Sequence, residues 1–300
     1  MHDITRMDEA LKSSGVFIKT GPYFSKLKSS INGLANSFLS LYHPSQITFS
    51  EEFVDFNITI ENPNLFRHWF RPQIIFKHDG VSPFLPLPES QAYPFFEWGL
   101  NWCIATYSNV NLILHAAVVE KNGHALIFPA APGSGKSTLS AGLSAKGWRL
   151  LSDEMAIINN KTKEVIPVVR PISLKNESID VIKNFAPNFV FGSVINDTNK
   201  GTVSHVKVPN ELELIDKPAK PAWLIFPKYK QGSESSLKMI GKSQSFLKAA
   251  ENSFNYNVLG EKGFNSLGDL IEECECYDFC YSDLNDAIKI FDNLAEEVSY

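Results

Sequence analysis

The most restrictive segment of this chain is a run of small residues, Ala130-Ala131-Pro132-Gly133-Ser134-Gly135-Lys136-Ser137. It directly follows the apolar stretch Ala125-Leu126-Ile127-Phe128 and opens a helix-favouring stretch, 137–146, that meets Gly147, a natural helix stop. Strand, glycine-rich turn and helix in that order are the context in which G-x-x-x-x-G-K-[S/T] holds a nucleoside triphosphate. Gly135, Lys136 and Ser137 match the pattern, and Ala130 stands where its first glycine would be. Glycines at 133 and 135 let backbone N–H groups close on a phosphate without a Cβ in the way. The helix N-terminus adds its partial positive charge. Lys136 is expected to reach the β- and γ-phosphates, and Ser137 to ligate Mg2+. The nucleotide-binding set is then Ala131, Pro132, Gly133, Ser134, Gly135, Lys136, Ser137 and Thr138. Agreement of strand, loop and helix favours this reading over an accidental small-residue turn.

Phosphoryl transfer also requires a carboxylate for the metal or the nucleophile. The stretch Arg149-Leu150-Leu151-Ser152 reads as the next strand and ends in Asp153-Glu154. Strand ends facing one crevice of a doubly wound or related sheet would place Asp153 near the γ-phosphate; the plainer alternative is a turn or helix cap. His115 interrupts the apolar strand expected over 111–119 and reads either as a satisfied core histidine or as a site residue. Two polar stretches, around Arg170 and around Lys200 to His205, are either solvated loops or segments that close over phosphates, with Arg170 or Lys200 stabilising charge.

Around this centre the chain divides into an expected strand-rich domain over 1–90 and a second domain over 91–300. Residues 1–14 read as a mobile or helical lead-in, and 15–87 as mostly strand. The alternation Phe53-Val54-Asp55-Phe56-Asn57-Ile58-Thr59-Ile60 is the clearest part. His78-Asp79-Gly80 is a turn signal after the strand 73–77. The aromatic run 92–108 predicts a helix. Asn122-Gly123 predicts a hairpin turn between 111–119 and 125–128. Further strands are expected at 222–226 and 271–281, and a last helix from Ser282-Asp283 towards Glu297.

A net charge of −5 does not favour a polyanion, so nucleic acid is not an expected partner. No apolar run is long enough to span a bilayer, and Met1-His2-Asp3-Ile4-Thr5-Arg6 lacks the apolar core of a signal peptide. A cytoplasmic protein without a membrane partner is the expectation; homo-oligomerisation stays open. Three of the four cysteines form Cys274-x-Cys276-x3-Cys280. This is either a metal-binding cluster without an obvious fourth ligand or, more plainly, a half-buried strand with Cys274 and Cys276 on one face.

Several longer segments resemble the HPr kinase/phosphorylase superfamily and, within it, the HPr kinase-related kinase A group. They are F-E-W-G-L-N-W-C-I-A at 96–105, H-A-A-V-V-E at 115–120 and P-G-S-G-K-S-T-L at 132–139. G-W-R-L-L-S-D-E at 147–154, R-P-I-S-L-K-N-E-S-I-D-V-I at 170–182 and K-G-T-V-S-H at 200–205 extend the likeness over most of 50–290. The resemblance implies an α/β fold shared with HPr kinase and phosphoenolpyruvate carboxykinase: a mixed sheet around a P-loop, with a smaller strand-rich N-terminal domain. It implies a cofactor set of ATP and Mg2+ and an unidentified protein, peptide or small-molecule acceptor. Lys136 and Ser137 take the nucleotide and metal positions, Asp153 that of the catalytic aspartate, Glu154 that of the acid after it, and His115 that of the histidine assisting Asp153. The sequence differs from HPr kinases at Ala130, at Thr138 where an acid is usual, in lacking their E-x-R-G signature, and in its C-terminal tail. Glu177 is the nearest substitute for that signature's metal-binding carboxylate. These differences argue against HPr as acceptor and against phosphorylase activity. A non-catalytic ATP-binding regulator and an ATP hydrolase are the alternatives to a kinase; His115 and Asp153 together favour catalysis, since binding alone needs neither.

Overall fold

Alternating burial along short strands, rather than helix propensity, organises the first third of the chain. The computed structural model describes residues 2–63, 71–207, 209 and 211–297. It is a mixed α/β protein whose described residues form three sheets, with parallel and antiparallel pairings together. The residues 64–70 within the expected strand-rich stretch lie outside the described residues. The backbone separates into two compact units that are interleaved along the chain. One holds Met1–Ile104, Ser173–Asn176 and Val190–Lys207, and the other holds Ala105–Ile172, Glu177–Phe189 and Val208–Tyr300.

In the first unit, helix α1 (His2–Lys12) is followed by β1 (Val16–Thr20), β2 (Tyr23–Ser29), α2 (Leu34–Leu41), β3 (Ile47–Thr48), β4 (Phe56–Glu61), β5 (Gln73–His78), β6 (Leu87–Pro88) and α3 (Ala92–Tyr107). The strands form one sheet in the order β3-β1-β2-β4-β5-β6. Every second side chain of β2 is buried, as expected for a strand with one face on a core. The strand expected from Phe53 starts only at Phe56: Phe53 is 80% exposed, and the amide of Asp55 is bonded to the carbonyl of Phe24. The turn at Asp79-Gly80 has positive φ at both residues, and the chain returns to β5 through β6.

Helix α3 buries Phe95, Phe96, Leu100, Cys103 and Ile104. Phe96 meets Phe38 of α2 edge-on, with ring centroids 4.9 Å apart. The buried Glu97 carboxylate accepts a 2.8 Å hydrogen bond from Tyr42 Oη, so this polar group enters the core with a partner. Gly99 faces β5, where an added Cβ would lie 2.1 Å from a ring carbon of the fully buried Phe76. Alanine normally favours a helix interior over glycine by up to about 1 kcal/mol. Here overpacking outweighs that gain, and Gly99→Ala is expected to destabilise the protein by ~1–3 kcal/mol. A urea midpoint equal to or above wild type, at unchanged slope, would show that the Phe76 ring yields.

The chain continues through β7 (Leu112–Lys121), β8 (His124–Pro129), α4 (Lys136–Ala145), β9 (Arg149–Ser152), β10 (Met155–Ile158), β11 (Val165–Ile166), β12 (Ile172–Lys175) and α5 (Glu177–Phe185). Then come β13 (Val190–Phe191), β14 (Ile195–Thr198), β15 (Gly201–Lys207), β16 (Lys220–Tyr229), β17 (Ser236–Met239), α6 (Lys242–Glu251), α7 (Tyr256–Leu259), α8 (Glu261–Glu273), β18 (Glu275–Tyr281) and α9 (Leu284–Glu297). A small sheet has the order β12-β15-β13, with β14 also on β15.

The second unit is built on β7, whose residues are nearly all buried. Its sheet runs β11-β10-β7-β8-β16-β18-β17, with β9 also against β7. The β7–β8 turn has positive φ at both Asn122 (56°) and Gly123 (83°), the type I′ geometry that Asn-Gly favours. Helix α4 ends at Gly147 (φ 91°), where the amide of Trp148 bonds the Leu143 carbonyl and that of Gly147 the Ser144 carbonyl.

Two strand expectations change in this unit. Strand β16 passes through Pro227 to Tyr229 instead of stopping at Phe226. Its pairing with β8 ends at Leu224, so beyond that point the missing proline N–H is not needed on that side. Residues 271–273, expected to begin a strand, finish helix α8, because Leu267, Leu270 and Ile271 fall on one helical face and are buried together. Cys274 and Cys276 are both buried in the core cluster, while Cys280 is half-buried. Burial pushes the Cys274 and Cys276 thiols up from their ordinary range, and Cys103 in the first unit is pushed up to about 12. Among the described residues no group of three or more His, Cys, Asp or Glu is arranged to hold a metal ion. No helix among them is long and apolar enough to cross a membrane.

Candidate functional site

The segment between β8 and α4 is strained only where glycine permits it. Among its residues φ is positive at Gly133 (85°) and Gly135 (95°). Ala130 therefore carries its methyl group in ordinary backbone, which explains why a glycine is not required there. Around Gly133 an added Cβ would meet open space, so only φ asks for glycine. At Gly135 space is also denied, since a Cβ would fall 2.2 Å from Tyr281 Oη. Ala131, Pro132 and Gly133 are exposed; Ser134, Gly135, Ser137 and Thr138 are half-buried.

Lys136 is the first residue of α4 and is buried. Its Nζ donates to the Ala130 carbonyl and lies 3.4 Å from the Ala131 carbonyl. The ammonium thus lies along the loop that the backbone of 130–135 encloses. One residue on, Ser137 Oγ donates to Asp153 Oδ2 at 3.1 Å, and Ser140 Oγ donates to Asp153 Oδ1 at the same distance. Ser137 and Ser140 are three apart and so share a helix face. Asp153 is only 6% exposed, and its two oxygens are held by these hydroxyls.

Strand pairing places Asp153 there. Strand β7 is antiparallel to β8 on one side and to β9 and β10 on the other. Strands β8 and β9 therefore run the same way without being neighbours, and they end within two residues of each other along β7: Pro129 pairs with Ala116 and Ser152 with Val118. One extra residue on β9 shifts the register between Ser152 and Leu150. The carbonyl of that residue, Leu151, accepts instead from the amide of Val168. Such irregularities re-aim side chains at strand ends.

His115 lies on β7 opposite Met155. Its Nε2 is 3.4 Å from Glu154 Oε2, and its ring centroid is 5.5 Å from that of Phe254. Its amide donates to the Asn252 carbonyl at 2.6 Å. The carboxylate that His115 reaches is thus that of Glu154, while Asp153 is gripped by the helix hydroxyls.

The remaining candidates are distributed as follows. Arg170 is buried, in the segment between β11 and β12. Glu177 is exposed in the first turn of α5. Among the described residues Glu177 forms no hydrogen bond or ion pair with Ser137, Asp153 or Glu154. Lys200 and His205 belong to the first unit. There the Lys200 ammonium lies 4.9 Å from the Trp98 ring centroid, and the buried His205 packs edge-on against Tyr93 at 5.1 Å.

Three participants carry no local signature in the sequence. Ser140 completes the pair of hydroxyls on Asp153; its three-residue spacing from Ser137 on an expected helix is the one available hint. Tyr229 and Tyr281 end β16 and β18 and touch the loop through the Ser134 and Gly135 carbonyls. No family model matches this chain, and no curated protein matches it.

Proposed function

We propose that this chain is an ATP-dependent kinase that transfers the γ-phosphate to a hydroxyl, that of a serine in a protein or peptide or that of a small metabolite. The observation that carries this reading is the buried Asp153 carboxylate held 3.1 Å from the Ser137 hydroxyl, on the first turn of a helix that follows a loop with left-handed glycines at 133 and 135. A loop, a lysine, a hydroxyl and a carboxylate gathered at one helix N-terminus are what phosphoryl transfer uses. The resemblance to HPr kinase-related kinases supports the same assignment and adds a P-loop reading of 130–137.

In this reading the backbone amides of 133–138 and the Lys136 ammonium bind the nucleotide phosphates. The hydroxyl of Ser137 and the carboxylates beside it are hard oxygen donors of the kind Mg2+ prefers, so the donor set fits. When bound, Mg2+ supplies neutralisation of phosphate charge. Asp153 orients the acceptor hydroxyl and takes its proton as that oxygen bonds to the γ-phosphorus and the bond to ADP breaks. Glu154, paired with His115, stands next to it in the chain and is the second metal candidate. The reading is tested by incubating the protein with ATP, Mg2+ and cell extract and searching by mass spectrometry for phosphorylated acceptors; transfer that is equal in Lys136→Ala would exclude this loop as its source.

Two further substitutions separate the metal ligands. Ser137→Ala removes a direct ligand and is expected to raise the Mg2+ concentration needed for half-maximal activity by about tenfold, the size of one charged hydrogen-bond equivalent. Glu177→Gln does the same if Glu177 approaches the metal when nucleotide is bound. An unchanged Mg2+ titration for Glu177→Gln assigns the second carboxylate to Glu154.

A further inference from the structure

The loop is held from outside by two strand ends. Tyr281 Oη donates to the Gly135 carbonyl at 3.1 Å, and the amide of Tyr229 donates to the Ser134 carbonyl at 3.1 Å. The Gly135 carbonyl also accepts the first bond of α4, from the Leu139 amide at 3.0 Å, so both of its lone pairs are used. In a trans peptide, C=O and N–H point in opposite directions. Fixing the Ser134 and Gly135 carbonyls towards the strands and the helix therefore turns the Gly135 and Lys136 N–H groups the other way. Two successive amides facing one side are the basis of an anion-binding concavity.

The phenol is built for this task. Tyr281 is 2% exposed, stacked on Phe279 with centroids 5.4 Å apart and edge-on to Tyr229 at 5.6 Å. Its own carbonyl accepts from the Lys230 amide, which locks the end of β18 to the end of β16. Burial, with Tyr229 adding, pushes the phenol well above its ordinary range, so it remains a donor at any physiological pH. Its oxygen fills the space a side chain at 135 would need. We infer that Tyr281 is a positioning residue for the phosphate loop: its hydroxyl sets the orientation of the Gly135–Lys136 peptide, and with it the affinity for a polyphosphate chain. The inference rests on the nucleotide reading above and adds to it a residue from the far end of the chain.

The test is calorimetric titration of the whole protein with Mg2+–tripolyphosphate and Mg2+–ATP, beside urea unfolding. Tyr281→Phe keeps the stacked ring and deletes only the hydroxyl. It is expected to weaken both ligands by about 3- to 10-fold, with the urea midpoint lowered by no more than the loss of one neutral hydrogen bond accounts for. A lowered midpoint with wild-type affinity would mean that the phenol serves stability alone and would overturn the inference, as would no change in either. Gly135→Ala, whose methyl displaces the phenol oxygen, is the second variant, and wild-type affinity there is equally fatal. Failure of the wild-type protein to bind either ligand is a distinct outcome: it removes the nucleotide reading and this inference with it.

Discussion

Asp153→Asn is expected to retain ATP binding and to lose phosphoryl transfer by about 10²–10⁴-fold, the usual contribution of a positioned acid–base group. Asparagine keeps the shape of the side chain and one carbonyl oxygen to accept from Ser137 or Ser140, so the fold around α4 should survive. What disappears is the negative charge and the ability to take a proton. His115→Ala should cost less, because the histidine meets Glu154 and acts on the acceptor only through its neighbours. The double variant should fall short of the product of the two losses, as groups acting as one unit do. The measurement is ATP affinity together with γ-phosphate transfer to an identified acceptor, or to water if none is found. Full transfer in Asp153→Asn would sink the mechanism even if the kinase assignment stood. A non-catalytic regulator would show no transfer to lose, and the substitution would then alter affinity alone.

The second large effect is at Lys136. Its ammonium is buried and donates to the Ala130 and Ala131 carbonyls, beside the loop where phosphate oxygens would bind in the proposed reading. A charged hydrogen bond of this kind is worth about 1.5–3 kcal/mol, so Lys136→Ala should weaken Mg2+–ATP by roughly 10- to 150-fold and abolish turnover. Circular dichroism and the urea midpoint separate this from unfolding. Equal affinity and equal turnover in Lys136→Ala would rule the loop out as the active site.

Much of the candidate site was legible because its signals are local. The Ala130–Ser137 segment announces a glycine-dependent turn through residues whose backbone freedom is intrinsic, and Gly133 and Gly135 do adopt positive φ. Asn122-Gly123 and Gly147 likewise act within a few residues of themselves, so the hairpin and the end of α4 fall where expected. Asp153 was marked by its place after an apolar strand, a feature of neighbouring residues alone. The strand through Pro227 was not legible, since a proline is compatible with a strand only when the missing N–H faces no partner, and partners are set by pairing. The same holds for 271–273, where Ile271 followed by two glutamates suits a helix end or a strand start until the core face that buries Ile271 is known.

The glycines, the lysine, the hydroxyl and the carboxylates are readable from short segments, because conformational permission and charge are properties of single residues and short spacings. Which of them meet depends on long-range pairing. Strand order placed β8 and β9 on opposite sides of β7, and this brought Asp153 to Ser137 and Ser140 while giving His115 the carboxylate of Glu154. Parallel pairing of β16 and β18 carried Tyr229 and Tyr281, 52 residues apart in number, to the adjacent loop carbonyls of Ser134 and Gly135 respectively. Contacts of that kind depend on sheet register, which is fixed by burial summed over whole strands and is written in no one segment.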